Sequence, residues 1–181
     1  MFDPPLGREA LERAAGFHRP HVEDRSIEWR EALLDTHGHR MLCRFEAPCA
    51  AALRQALADQ GTQIRALWAG TIRVASWPPQ RWSAPPSTAE IPVLAECSFD
   101  GRGAVDDVHG LEAACAWCFE AHRVRLVRML VSHDLDRVVY LCRAPDVESL
   151  RSALRYAGAG LDAVWAYRAV ARMPALVAAV V

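Results

Sequence analysis

The chain repeats itself at a spacing of 97 residues, and this internal repeat limits its possible folds more than any other feature of the sequence. Residues 2–73 align with residues 99–170 without a gap. The densest match sets APCAAALRQAL (47–57) against APDVESLRSAL (144–154), and six of these eleven positions are identical. We therefore predict that the chain contains two copies of one structural unit.

The second copy shows the elements of this unit most clearly. Residues 91–99 read as a strand, residues 105–121 carry apolar residues three and four positions apart as in a helix, and two alternating strands follow as a hairpin. Asp146 is placed to cap a second helix, and a last strand follows Gly158. This order predicts an α+β fold made of two tandem ferredoxin-like βαββαβ units that form a pseudo-dimer.

Four segments are predicted along the chain. They are repeat 1 over residues 1–75, a linker rich in proline and tryptophan over 76–90, repeat 2 over 91–172, and a C-terminal strand over 173–181. The first copy begins at the position that matches Phe99, so we expect it to lack its own first strand, which would leave unpaired backbone groups in its sheet. The apolar run PALVAAVV is predicted to fill this gap, the alternative being an added edge strand or a frayed end.

Composition and charge narrow the range of partners and compartments. The chain has 181 residues, of which 52% are hydrophobic, and this is enough for a packed core. The formal net charge is −1 and the arginines are scattered, so we expect no nucleic-acid partner and no membrane. The N-terminus has no secretory pattern, and the six cysteines are therefore predicted to be thiols in the cytoplasm. Either a monomer or a homodimer is compatible with these features.

Two matching segments resemble a known family. RMLCRFEAPCAAALRQAL in the first copy and RVVYLCRAPDVESLRSAL in the second are similar to the hairpin strand, proline turn and second helix of small actinobacterial nickel-binding ferredoxin-like proteins. This family is otherwise labelled a domain of unknown function and forms homodimers. The resemblance implies a bacterial protein in which such a homodimer has become one chain, and it implies nickel binding. The helix positions at which the family carries His and Asp align with Glu112 and Cys115 in the second copy and with Ala15 and His18 in the first.

Histidines in the first copy align with cysteines in the second, which suggests a metal site shared between the copies. His18 and His21 align with Cys115 and Cys118, so a pseudo-twofold axis could bring two imidazoles and two thiolates together. Such a donor set suits zinc or nickel. The alternatives are structural burial of the cysteines on an apolar helix face and a site within the second copy alone. The candidate metal ligands are His18, His21, Glu112, Cys115, Cys118 and His122.

Aromatic and arginine side chains on the strands are candidates for binding a small organic ligand. In a ferredoxin-like unit, the sheet face without helices is lined by alternate residues of the strands and can frame a pocket. Two repeat-matched arginines could hold a carboxylate or an enolate, although surface ion pairs are the alternative for them and core packing is the alternative for the tryptophans. The candidate ligand-binding residues are Arg40, Trp68, Arg137, Tyr140, Trp165 and Tyr167.

We therefore predict that the protein binds a divalent transition metal, nickel or zinc, or a small organic ligand at the interface of the two ferredoxin-like units. The alternative is a cofactor-independent enzyme of bacterial secondary metabolism, such as a cyclase, isomerase or oxygenase, that uses Arg, Tyr and His for acid–base chemistry. An interaction module without a site is a third alternative. We expect no nucleotide cofactor, because the sequence has no phosphate-cradling glycine loop and no dinucleotide fingerprint.

Overall fold

The computed structural model describes residues 26–59, 64–74, 90–99 and 116–172, which contain seven strands and three helices. The strands are β1 (Glu28–Asp35), β2 (Met41–Glu46), β3 (Gly70–Val74), β4 (Ile91–Ser98), β5 (Arg125–Ser132), β6 (Arg137–Ala144) and β7 (Leu161–Arg172). The helices are α1 (Ala50–Asp59), α2 (residues 116–121) and α3 (Val147–Tyr156). The strands form an antiparallel sheet in the order β2-β1-β7-β4-β6-β5-β3. These elements confirm the predicted α+β class, and none of the described helices is long and apolar enough to cross a bilayer.

The chain divides into two compact units whose bounds differ from those of the predicted repeats. Unit 1 comprises Met1–Leu67 and Arg168–Val181, and unit 2 comprises Trp68–Tyr167. The difference arises because β3, the last strand of the first repeat, pairs with β5 in unit 2. The 12-residue strand β7 likewise continues beyond Tyr167 and lies next to β1 in the strand order. Unit 2 therefore contains β3 of the predicted repeat 1, and unit 1 contains the end of β7, residues 168–172, of the predicted repeat 2.

After β3, the described elements of unit 2 follow in the order β4, α2, β5, β6, α3 and β7, which is the predicted βαββαβ order. Alternate residues of a strand point to opposite faces, and Val93, Ala95 and Cys97 of β4 point to the face that α2 and α3 cover. They form a buried core there with Phe119 and with the apolar side of α3. The core of unit 2 therefore lies between the two helices and one face of the sheet.

Local sequence signals fix both ends of α3. Asp146 caps the helix by accepting a hydrogen bond from the backbone N–H of Ser149 at 2.7 Å, and this confirms the predicted cap. Leu150 and Leu154, one helical turn apart, point into the core with no exposed surface. Beyond the last turn, Gly158 takes a left-handed backbone conformation with φ of 79°, which glycine adopts at little cost.

Several elements recur at the 97-residue spacing found in the sequence. The bounds of β1 and β5 are 97 positions apart at both ends, and so are the bounds of α1 and α3. Unusual backbone conformations recur as well, because Ser26 and Arg123 have φ of 55° and 56°. Gly38 and Leu135 match in the same way, with φ of 80° and 59° in the two hairpin turns. Left-handed conformations are uncommon for residues other than glycine. Their recurrence therefore indicates that the backbone has a similar conformation at these matched positions.

Unit 1 has a smaller described core than unit 2. Ile27, Leu53 and Leu57 are buried together, and Phe45 of β2 packs against them. Helix α1 begins after Cys49, whose Sγ accepts a hydrogen bond from the Ala52 N–H at 3.4 Å, at the position that Asp146 occupies before α3. None of the side chains of β2 is fully buried, whereas most of those of β6 are.

Parts of the predicted organisation lie outside the described residues. They include residues 1–25, which contain the start of repeat 1, and the predicted linker except for Glu90. The predicted C-terminal strand, residues 173–181, and the first part of the helix expected over 105–121 lie outside them too. The expectations that repeat 1 lacks a first strand and that the C-terminus replaces it therefore stay predictions.

Candidate functional site

The face of the unit 2 sheet opposite α2 and α3, here called the helix-free face, carries buried apolar side chains and Glu96, and the register places Arg128, Arg137 and Arg143 on the same side. Its residues are set by the register of the strands, because directly paired residues share a face. Leu94 of β4 pairs with Leu141 on one side and with Trp165 on the other, and Glu96 pairs with Val139. The side chains on this face that concern the site are Leu94, Glu96, Leu130, Val139, Leu141 and Trp165.

The central polar contact of the helix-free face joins Glu96 to Trp165. The indole Nε1–H of Trp165 donates a hydrogen bond to Oε1 of Glu96 at 2.9 Å. Trp165 is buried, with 8% of its surface exposed, and Glu96 is half-buried. The indole thus fixes one oxygen of a carboxylate that is partly withdrawn from water.

The residues paired directly with Glu96 are apolar, namely Val139 of β6 and Ala163 of β7. On the same face, Leu94 and Leu141 have no exposed surface, and Val139 and Leu130 are 4% and 7% exposed. No Arg or His side chain of the described residues forms an ion pair with Glu96 within 4.0 Å. A charged group in such surroundings is costly unless other groups hydrogen-bond to it or neutralise it.

The acidic side chains on the strands of unit 1 are arranged differently. Arg44 Nε lies 3.7 Å from Glu31 Oε2, and Arg30 bridges Glu28 and Glu46 with N–O distances of 2.6 Å. These carboxylates lie next to arginines, as is usual for charges at a partly buried surface. Glu96 therefore differs from Glu28, Glu31 and Glu46 in having an indole as its described partner.

The aromatic candidates for ligand binding fall on both faces of the sheet. Trp165 lies on the helix-free face as expected, and the alternation along β7 places Tyr167 on the same face. Tyr140 lies on the opposite side, buried under the helices and in edge-to-face contact with Phe119 at 6.3 Å between ring centroids. Trp68 is half-buried and packs over Gly70 just before β3. Tyr140 is thus a core residue rather than part of the helix-free face.

The two repeat-matched arginines stand at equivalent hairpins, where their backbone explains the match. The N–H of Arg40 donates to Asp35 Oδ1 at 3.1 Å, and the N–H of Arg137 donates to Ser132 Oγ at 3.0 Å. The side chain of Arg137 is exposed, with Nε 3.9 Å from Asp136 Oδ1. These contacts close the two hairpin turns through the main chain, and a ligand contact of either guanidinium group stays a prediction from the sequence.

Two of the six candidate metal ligands belong to the described residues. Cys118 is buried in the core of unit 2 with 2% of its surface exposed, and His122 stacks on Tyr156 with 5.5 Å between ring centroids. His18, His21, Glu112 and Cys115 lie outside the described residues. Within the described ranges, no three His, Cys, Asp or Glu side chains are grouped so that they could hold a metal ion. The shared metal site therefore stays a prediction.

Alkylation of the folded protein is expected to modify Cys49 and to spare the other four cysteines that the structure describes. Cys49 is exposed, whereas Cys97, Cys118 and Cys142 are buried. Burial raises the pKa of the Cys118 thiol, and burial also raises the pKa of Cys43 to about 12, against a hydrogen bond from Trp29 that lowers it. Both thiols therefore stay protonated at pH 8. Because the thiolate is the form that reacts, both should be alkylated slowly.

Peptide mass spectrometry after brief iodoacetamide treatment at pH 8 measures this difference in reactivity. A Cys115→Ser background removes the one cysteine outside the described residues, and a sample unfolded in urea shows full labelling. Modification of Cys118 as fast as that of Cys49 in the folded protein would contradict the buried position of Cys118.

Sequence reasoning missed Glu96, although the strand that carries it was predicted. The one signal is that Glu96 is the only charged residue in the nine-residue segment IPVLAECSF. A comparison with protein-family models, curated proteins and solved structures gives no match to this chain. Its function is therefore inferred from the geometry of the described residues.

Proposed function

We propose that this protein binds a small organic ligand on the helix-free face of unit 2, where Glu96 and Trp165 provide the polar contact. One observation carries the proposal: a half-buried carboxylate accepts its described hydrogen bond from an indole and lies among buried leucines and valines. Ligand sites commonly have this composition, with many apolar side chains and a few polar groups in fixed positions.

The hydrogen-bonding capacity of the carboxylate supports this proposal. An ionised carboxylate has two oxygens and about four lone-pair positions, and Trp165 Nε1 occupies one of them on Oε1 of Glu96. Leaving a partly buried acceptor without further donors costs free energy. A ligand that donates to Glu96, which is half-buried, would recover part of this free energy.

The rigidity of the surroundings also supports the proposal. Leu94 and Leu141 are fully buried in adjacent strands, and β4 is paired along its length with β6 and over most of its length with β7. Side chains on paired strands are held more precisely than those on loops. Glu96 therefore has a defined position before any ligand arrives, which reduces the entropy lost on binding.

The indole N–H resonance of Trp165 in a proton–nitrogen NMR spectrum provides a direct test. The chain has six tryptophans, and Trp165→Phe identifies the resonance by its disappearance. We expect at least one member of a set of small aromatic amines, alcohols and carboxylates to shift this resonance. Glu96→Gln should weaken that binding at least about tenfold, because charge-assisted hydrogen bonds are roughly twice as strong as neutral ones.

The control for this test is Glu120→Gln, the same change at an exposed glutamate on α2. It should leave both the resonance and the binding unchanged. If no compound shifts the Trp165 resonance, or if Glu120→Gln weakens binding as much as Glu96→Gln does, the proposed function is wrong.

We also infer that the chain arose by tandem duplication of a ferredoxin-like unit. The 97-residue spacing of β1 with β5, of α1 with α3 and of the left-handed residues in their turns supports a duplication. The βαββαβ order of unit 2 and its strand order β7-β4-β6-β5 support the ferredoxin-like assignment. Nickel or zinc binding and cofactor-independent catalysis stay predictions from the sequence.

A further inference from the structure

We infer that unit 2 has an anion site on its helix-free face, where Arg125 of β5 and Arg143 of β6, with Arg128 beside them, bind a phosphoryl group. This site goes beyond the proposed function, because it involves neither Glu96 nor Trp165. Three features support it: the direct pairing of two arginines, an extra residue in β5, and the exposure of the paired side chains.

The first feature is that two arginines lie directly opposite each other. Arg125 pairs with Arg143 in the register of β5 and β6, and the Cβ atoms of such a pair are about 5 Å apart. Both side chains lie on the helix-free face, because Leu141, two positions before Arg143, lies there. Like charges that face each other across two strands are destabilising. Proteins commonly break such local rules at functional sites, where another requirement outweighs stability.

An extra residue in β5 adds the third arginine to this face. The register of β5 against β6 shifts between Leu126 and Arg128, which makes Val127 an extra residue, as in a β-bulge. Arg128 pairs with Leu141 and therefore lies on the helix-free face. Arg125 is three positions earlier, so without the extra residue the two arginines would lie on opposite faces. Bulges often re-aim a side chain beside a site, and this one brings Arg128 to the side on which Arg125 lies.

Described carboxylates balance the charge of the opposed pair only in part. Arg125 Nη2 lies 3.2 Å from Oε2 of Glu90. Arg143 forms no ion pair within 4.0 Å with any residue that the structure describes. Arg128 has an interaction of its own, so the inference depends on Arg125 and Arg143. One described carboxylate thus serves two opposed guanidinium groups, and an anion from solution would neutralise the second.

Both members of the pair are accessible from solution. The side chain of Arg125 is 42% exposed, and Arg143 is exposed. A ligand therefore reaches these guanidinium groups without displacing the buried leucines of the same face. Arg143 also lies four residues along β6 from Val139, the partner of Glu96, and this separation is about 13 Å along a strand. The anion site is therefore distinct from the contact between Glu96 and Trp165.

The hydrogen-bonding geometry of arginine favours a phosphoryl group over a carboxylate. A guanidinium group can donate two parallel hydrogen bonds to two oxygens of one ligand, so two such groups can serve up to four acceptor positions. A carboxylate has two oxygens, whereas a phosphoryl group has three and carries more negative charge. Arg125 and Arg143 approach from neighbouring strands and can therefore bind different edges of a tetrahedral group. Inorganic phosphate and a phosphate monoester share this chemistry.

Calorimetric titration of the full-length chain with three probes tests the inferred site. The probes are phenyl phosphate, inorganic phosphate and benzoate, in a buffer of low ionic strength, because salt screens exposed charges. We expect phenyl phosphate to bind at least about tenfold more tightly than benzoate, because it accepts more charge-assisted hydrogen bonds. It should also shift the backbone amide resonances of Arg125 and Arg143. Equal binding of inorganic phosphate would indicate a site for the free ion, and weaker binding a site for an organic phosphate.

Two glutamine variants that remove the same charge separate the site from a general effect of charge. Arg143→Gln should weaken the binding of phenyl phosphate at least about tenfold. Arg155→Gln, at an exposed position of α3, should change it less than about twofold.

Thermal unfolding separates a binding role of Arg143 from a structural one. Because Arg143→Gln relieves the repulsion with Arg125, its unfolding midpoint without ligand should equal or exceed that of the wild type. Phenyl phosphate should raise the midpoint of the wild type, since it binds the folded state, and should raise that of Arg143→Gln much less. A lower midpoint for Arg143→Gln without ligand, with an undiminished increase on adding phenyl phosphate, would show a structural role.

Other results would also overturn the inferred site. They are the absence of binding by all three probes, binding of benzoate as tight as that of phenyl phosphate, and equal weakening by Arg143→Gln and Arg155→Gln. Binding of phenyl phosphate that leaves the amide resonances of Arg125 and Arg143 in place would do so too. The proposed function does not depend on these results, because it rests on Glu96 and Trp165.

Discussion

Shortening Leu154 to alanine is expected to lower the free energy of unfolding by about 2–5 kcal/mol, the usual cost of such a change in a well-packed core. Leu154 has no exposed surface and lies on α3 among side chains of three strands and two helices of unit 2. The loss combines the hydrophobic free energy of the removed carbons with the cavity that they leave, because the sheet below cannot close around it.

Urea unfolding followed by circular dichroism measures this loss, and two variants accompany it. Arg155→Ala alters the next residue, which is exposed, and should change the free energy of unfolding by less than about 0.5 kcal/mol. Leu57→Ala alters the residue at the matching position of α1, where 6% of the surface is exposed and the described core is smaller. Its cost should lie between the two, and a cost for Leu154→Ala as small as that for Arg155→Ala would show that this core is loosely packed.

Adding a single methyl group at Gly70 is expected to destabilise the pairing of β3 with β5. A Cβ atom on Gly70 would overlap the backbone oxygen of Val131 and would come within 2.7 Å of the Trp68 ring. Backbone atoms cannot move aside as a flexible side chain can, so Gly70→Ala should lower the free energy of unfolding by about 1–3 kcal/mol.

The matched control for Gly70→Ala is Thr71→Ala, which removes atoms from an exposed residue of the same strand. Its cost should stay below about 1 kcal/mol, the range of strand propensities. Hydrogen exchange of the β3 and β5 amides locates the effect, because Gly70→Ala should speed exchange there. Equal stability of the two variants would contradict the close approach of β3 to Val131.

Local patterns in the sequence were sufficient to predict the elements of unit 2. The helix α3 follows from apolar residues one turn apart, a capping aspartate and a terminal glycine, all of which act within a few residues of one another. The pairing of β3 with β5 could not be predicted in this way. It joins Ile72 to Leu130 across 58 positions of the chain, and no local propensity specifies which strand edge a given segment will meet.

The face of the sheet on which a side chain lies was harder to predict than the presence of the strand that carries it. In RVVYLCR of β6, five consecutive residues are apolar and buried, so alternation gives no sign of which of them point toward the helices. Tyr140 was therefore predicted to line the helix-free face, whereas it lies under the helices. Trp165 was predicted on the helix-free face and lies there, because it pairs with Leu94 on that side.

The predicted repeat was more useful for the backbone conformation than for the proposed ligand site. Arg40 and Arg137 match because both close a hairpin through the main chain, and the ligand contact predicted for their side chains, with surface ion pairs as the alternative, stays a prediction. Glu96, on which the proposed function rests, precedes the aligned residues 99–170. A search for matching pairs therefore passes over it.

The pairing of β3 with β5 also affects what would hold the protein together if the segment between β3 and β4 were cleaved. Because β3 belongs to the first repeat but pairs with β5 of the second, a proteolytic nick between residues 74 and 90 would leave the two fragments joined by the ladder from Gly70 to Val74. The peptide connection determines that the halves are synthesised together in equal amounts. Their cohesion after cleavage would depend on the five-residue ladder between β3 and β5 and on the adjacency of β1 and β7 in the sheet.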